Sequence, residues 1–225
     1  MDSNLGNGSM GDAFHEKLIE AERELLARAD GHDLFRRAAA NDLEESLLES
    51  WLVQEYLWLR DYEHFLAEMA ARAPHGIRRP LLDALLTLHG DAELTEEFAV
   101  GKGISQHTQR PTFATHAYGS FLRATVGSRS FQEALAVCYA ANYSWLHAWG
   151  HVLAAEDRLT PWLSEFVKLW NKDRHREWVG ALEKFIDEAA EETTDARREE
   201  MGNAFRITLH YAIRFWDSVL EGADW

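Results

Sequence analysis

From Phe14 to the end of the chain, apolar residues return at steps of three and four, and no segment alternates convincingly between apolar and polar side chains. A period near 3.6 residues buries one face of an α-helix, whereas a half-buried strand needs a period of two. The expected fold class is therefore all-α. Phe14, Leu18, Ala21, Leu25 and Leu26 mark a first helix over residues 13–29, which DGHD ends. A short piece, LFRRAAA, leads to Asn41 or Asp42 as the cap of a long helix that runs to about Ala73, where Pro74 stops it. The Arg79-Pro80 step opens another helix to about His89. Beyond Gly90 the segment DAELTEEFAVGKG can continue helically after a bend, with Gly101 and Gly103 the firmer stop.

Pro111-Thr112 begins a helix through Thr125, and residues 131–156 form the most apolar helix of the chain, expected at its centre. Thr160-Pro161 has the order of an N-cap followed by proline at the first helical position, starting a helix to about Trp170. Two amphipathic helices over 175–192 and 195–221 close the chain. The expectation is one domain over residues 12–225, a bundle of about eight helices without internal repeats. Residues 1–11, polar and rich in Gly and Ser, read as a disordered leader.

Composition narrows the partners. In 225 residues, 46% hydrophobic and with nine Trp, there is ample material for a substantial core. Acidic residues number 38 against 23 basic, a formal charge of −15, which disfavours nucleic acid and anionic membranes. A neutral or cationic small ligand fits better. With Cys138 the single cysteine, no intramolecular disulfide can form, and neither a signal peptide nor a membrane span is legible; a cytoplasmic protein is expected.

The segment WLVQEYLWLRDYEHF, residues 51–65, places Asp61 on one helical side with Gln54, Trp58 and Phe65. An acid turned inward among rings must be paired, or its pKa rises, and such a group is a candidate for binding or catalysis. The other reading pairs Asp61 with Arg60 or a different Arg at the rim of the bundle. Further along, Cys138, Asn142, Trp145 and Trp149 share one face. Cys138 is either a nucleophile or a small core residue, and Asn142 can donate and accept at the edge of a heteroaromatic ring or serve a neighbouring helix. His64, His116, His147 and His210 stand on four predicted helices, yet HExxH, paired ExxH and Cys/His clusters are absent. His147 and His151 lack an obvious third ligand. No metal is expected, nor any other cofactor; GKG at 101–103 lacks the rest of a P-loop, and no G-x-S-x-G nucleophile elbow occurs.

Taken in order, the blocks YLWLRDYEHF, PTFATHAYGSFL, ALAVCYAANYSWLHAWG and LHYAIRFWDSV resemble the TenA/thiaminase II family, and they cover nearly the whole chain after the leader. The resemblance implies a heme-oxygenase-like helical bundle, a homo-oligomer (dimer or tetramer), and a pocket for an aminopyrimidine, with hydrolysis of thiamin or its aminopyrimidine breakdown products for salvage. It matches Asp61 to the family's acid that holds the pyrimidine amino group and ring nitrogen. His64 and His116 stand where the family carries aromatic pocket residues, and Trp170 falls at a tyrosine position after Pro161. Trp145 and Phe215 complete the implied wall. Aligning ALAVC puts Cys138 at the nucleophile; aligning YSWLHAWG through its Gly puts Asn142 there and preserves more of the block. The family's late acid falls on Ala212.

Three functions are consistent with these residues. One is hydrolysis of a C–N bond in an aminopyrimidine or thiamin-derived substrate, with Asp61 and Cys138 as catalytic residues. Another is a degenerate TenA-like protein that binds a small aromatic ligand without turnover, favoured by Ala212. The third, a metal-dependent oxidase on the same bundle, is disfavoured by the missing ligand motifs.

Overall fold

A computed structural model describes residues 13–105, 110–168 and 172–222. Within them the chain forms α1 (Phe14–Ala21), α2 (Arg23–Asp30), α3 (Asp33–Ala39), α4 (Glu45–Arg72), α5 (His75–Gly101), α6 (Phe113–Ser128), α7 (Phe131–Ala154), α8 (Pro161–Val167), α9 (Lys172–Glu191) and α10 (Asp195–Glu221), with no strand among the described residues. The all-α expectation holds. The expected first helix is interrupted at Glu22, whose φ of −110° and ψ of 21° turn the chain between α1 and α2. The leader at 1–11 lies outside the described residues.

Local chemistry explains most boundaries. Thr112, Thr160 and Thr194 cap α6, α8 and α10 by accepting a backbone N–H through the side-chain oxygen. Ser130 and Glu133 form a reciprocal capping box at the start of α7. Two expectations shift. Asn41 does not cap α4: it sits at φ 55° and joins the chain near α8, donating to the Arg158 carbonyl and accepting from the Thr160 N–H. Nor does Pro80 open a helix. It lies inside α5, the sixth residue of a helix that begins at His75 and passes through Gly90 to Gly101, where it removes one internal donor, the one that would reach the Gly76 carbonyl.

Helix α7 is the axis of the bundle. Leu135, Ala136, Val137, Cys138, Tyr139 and Ala140 are all fully buried, so every side of its middle is covered. Its largest neighbours are α10 and α9, while α4 packs on α5 and α6. One end of the core is aromatic: Trp51 lies 5.0 Å from Trp149 and 4.8 Å from Phe166, and Phe35 meets Trp216 edge-on at 4.8 Å. Such pairs contribute about 0.5–1.5 kcal/mol each beyond their buried area.

Candidate functional site

A cavity of 410 Å³ opens between α4, α5, α7 and α9. Helix α4 supplies Glu55, Trp58, Leu59, Tyr62 and Leu66, whose spacing of three, one, three and four keeps them on one face. Ala141, Asn142 and Trp145 of α7 form the facing wall, and His175 and Trp178 of α9 close one side. Towards α5 the lining becomes charged, with Asp83 and Asp91; Arg174 bonds Asp91 at 2.7 Å across this rim.

Glu55 dominates the interior. It is 2% exposed, the Trp145 indole donates to its carboxylate, and its Oε1 is buried without a hydrogen-bond partner. Removal from water pushes its carboxyl pKa up to about 8, against which the Trp145 bond works only weakly. Near neutral pH Glu55 is therefore largely a neutral acid, able to donate from one oxygen and accept at the other. Trp58 stacks on Tyr62 with ring centres 4.7 Å apart, giving a flat apolar surface beside that acid.

Behind this wall lies Cys138, fully buried and absent from the cavity lining. Its Sγ is 3.3 Å from the Tyr62 hydroxyl and 3.8 Å from Asn142 Nδ2, so Tyr62 and Asn142 stand between the thiol and the cavity. Asn142 donates to the Tyr62 oxygen at 2.5 Å and to the Cys138 carbonyl at 2.8 Å. Burial pushes the Cys138 thiol up to about 12, with Tyr62 opposing. Burial likewise holds His175 down at about 4, against the hydrogen bond to the Asn142 carbonyl, so its imidazole is neutral.

A model of the TENA/THI-4/PQQC family matches residues 17–222, nearly the whole described chain. The chain belongs to that family. A relative, the aminopyrimidine aminohydrolase of Halalkalibacterium halodurans, is 22% identical over 221 residues, covering 95% of this chain and 98% of the relative. Among solved structures, a TenA homologue from Pyrococcus furiosus superposes with TM-score 0.87 at 23% identity, covering 92% of this chain and 99% of that one. A domain with a heme oxygenase-like fold from Shewanella denitrificans gives TM-score 0.71 at 12% identity, covering 92% and 90%. The bundle is thus the TenA, heme-oxygenase-like fold.

Within this TENA/THI-4/PQQC frame the expected site residues separate. Asn142 and Trp145 line the cavity, and Cys138 lies directly behind it. Asp61 does not line it. Its carboxylate pairs with Arg123 of α6, the rim-Arg alternative with a different partner from Arg60. Six residues apart at about 100° each, Glu55 and Asp61 point roughly 120° apart around α4, so only one can face the cavity. Gln54, on the Asp61 side, is also committed to α6, accepting from the Thr112 N–H at 2.9 Å and the Thr115 hydroxyl at 2.7 Å. His64 and His116 are exposed on the outer faces of α4 and α6, because their positions on those helices point away from the interior. Phe215 is buried in the core on α10, outside the cavity lining. Trp170 lies outside the described residues. His147 and His210 are also exposed, and no group of three or more His, Cys, Asp or Glu is arranged to hold a metal among the described residues.

Sequence reasoning missed Glu55, Tyr62 and His175. A signal for the first was present: Glu55 precedes Trp58 by three and Tyr62 by seven, which is the same helical face. His175, at the start of an amphipathic helix, gives no such signal.

Proposed function

We propose that this chain is a TenA-like hydrolase of thiamin and aminopyrimidine salvage, and that Glu55 holds the aminopyrimidine edge. The single observation that carries this reading is the buried, unpaired Glu55 oxygen in a cavity walled by Trp58, Tyr62 and Trp145. An aminopyrimidine offers a ring nitrogen that accepts and an exocyclic amine that donates. A neutral carboxylic acid presents the complementary pair, and whether the proton rests on the oxygen or the ring nitrogen, both hydrogen bonds form. The rings supply stacking surface. The name of the Halalkalibacterium relative, aminopyrimidine aminohydrolase, supports the same substrate class.

Hydrolysis replaces a C–N bond by C–O, consuming water and releasing the amine. In this proposal Cys138 is the nucleophile, reached when Tyr62 and Asn142 give way to a bound ring: its sulfur bonds the carbon as the C–N bond breaks, the thiol proton leaves on the amine, and water then displaces the sulfur, forming the C–O bond and restoring the thiol. A second reading, binding without turnover, is favoured by one specific observation: the late acid position holds buried Ala212. The proposal also includes a homo-oligomer, dimer or tetramer, supported by Leu82, Leu86 and Leu94, which stand exposed on α5 at intervals of four and eight. A cytoplasmic location belongs to it too; among the described residues no helix is long and apolar enough to cross a membrane.

The test is product formation from thiamin, an aminomethyl-bearing aminopyrimidine and its formylated form, with Glu55→Gln and Cys138→Ser alongside. Turnover abolished by either substitution supports the hydrolase. Saturable binding without product from any of the three would leave the binding protein, and neither binding nor product would end the aminopyrimidine reading.

A further inference from the structure

His175 occupies a position that the proposed chemistry does not use. It lines the cavity near the N-terminal end of α9, its ring packed 4.8 Å from that of Trp145, the residue that bonds Glu55. Its Nε2 lies 3.2 Å from the Asn142 carbonyl oxygen. A carbonyl only accepts, so Nε2 carries the proton, and in a neutral imidazole the other nitrogen must then be an acceptor. Among the described residues Nδ1 has no hydrogen-bond partner. The imidazole cannot adapt by gaining a second proton near neutral pH, since burial and the neighbouring Arg174 both disfavour the cation. The cavity wall thus has two fixed poles. Glu55 can both donate and accept, while His175, its Nε2 proton already given to the Asn142 carbonyl, has only an acceptor left.

We propose that His175 is a specificity-determining residue, its Nδ1 accepting a hydrogen bond from a donor on the substituent of the ligand ring. It selects aminopyrimidines whose side arm ends in an amine or hydroxyl over those whose arm ends in an alkyl group. This deepens the reading of the cavity as an aminopyrimidine site and rests on it.

Two substitutions separate recognition from support. The Gln amide nitrogen falls near Nε2, so His175→Gln keeps the donor to the Asn142 carbonyl and removes the acceptor. The Asn oxygen falls near Nδ1, so His175→Asn keeps the acceptor and drops the bond. Calorimetry on the full chain would compare an aminopyrimidine carrying an aminomethyl arm with its methyl counterpart. Wild type should prefer the aminomethyl compound about tenfold or more. His175→Gln should bring the two within about twofold, while His175→Asn keeps most of the preference. An undiminished preference in His175→Gln, or equal loss of both ligands in both variants, overturns the proposal and leaves the aminopyrimidine reading intact. Failure of wild type to bind either compound rejects that reading and this one with it. Nitrogen NMR of the free protein gives a ligand-independent check: His175 protonated on Nδ1 would overturn the assignment whatever binds.

Discussion

Glu55 and Asp61 lie on one helix in one short motif and do opposite things. Asp61 holds Arg123 at a partly open surface, so Asp61→Asn should cost ~0.5–1 kcal/mol of stability and leave ligand affinity within about twofold of wild type. Calorimetry of binding and a urea titration on the same variant check both halves. For Glu55 the folded-state pKa of about 8 lies above the ordinary 4.5, so across that window the folded chain binds more protons than the unfolded one and stability falls as pH rises. Glu55→Gln removes this penalty. Its stability gain should grow from pH 5 to pH 8 and reach about 2–4 kcal/mol, while ligand binding weakens by ~1–3 kcal/mol. Equal melting temperatures for wild type and Glu55→Gln at pH 8 would show that the carboxyl is not desolvated. Cys138, buried and held as the thiol, should react with a disulfide reagent at pH 8 far more slowly in the native chain than in denaturant.

Between elements, the tightest constraint is the crossing of α4 and α6. A β-carbon on Gly119 would lie 1.7 Å from the Asp61 carboxylate oxygen and 2.6 Å from its Cγ, so only glycine lets the two helices approach there with Asp61 on Arg123. Gly119→Ala should therefore cost about 1–3 kcal/mol in chemical denaturation, and Asp61→Ala in the same background should restore part of it. Element positions were largely legible. Period and turn residues placed α6, α7, α8 and α10 well, because Thr, Ser and Pro caps act through neighbouring residues alone. The run through Pro80 and Gly90 was not, since packing of α5 along α4 outweighs an interior proline and a helical glycine, together on the order of 4 kcal/mol. For the site, Cys138, Asn142 and Trp145 share a face of an obviously buried helix, and the structure sets Asn142 and Trp145 in the cavity wall with Cys138 behind it. Helix α4 is buried on several sides, so an inward acid there could face α6 or the cavity, and periodicity alone does not say which.

At the scale of the molecule, four helices far apart in sequence converge on one cavity, and its inner wall has an unusual proton inventory. Glu55 retains its proton up to about 8, and His175 takes one only below about 4. His175 has the opposite linkage sign to Glu55: its folded pKa lies below the ordinary 6.5, so its contribution is present above that value and lost as pH falls towards 4. Where the two windows overlap, between 4.5 and 6.5, their slopes oppose and the joint contribution of the pair should be flat, so wild type and a Glu55→Gln/His175→Gln double variant should show the same slope there when denatured at stepped pH. Should Glu55 hand its proton to a ligand ring, the proton stays inside the complex. Around pH 6 a ligand whose ring is neutral in free solution should therefore bind with no net proton exchange with solvent, and its heat of binding should be the same in phosphate as in a buffer of large ionisation enthalpy.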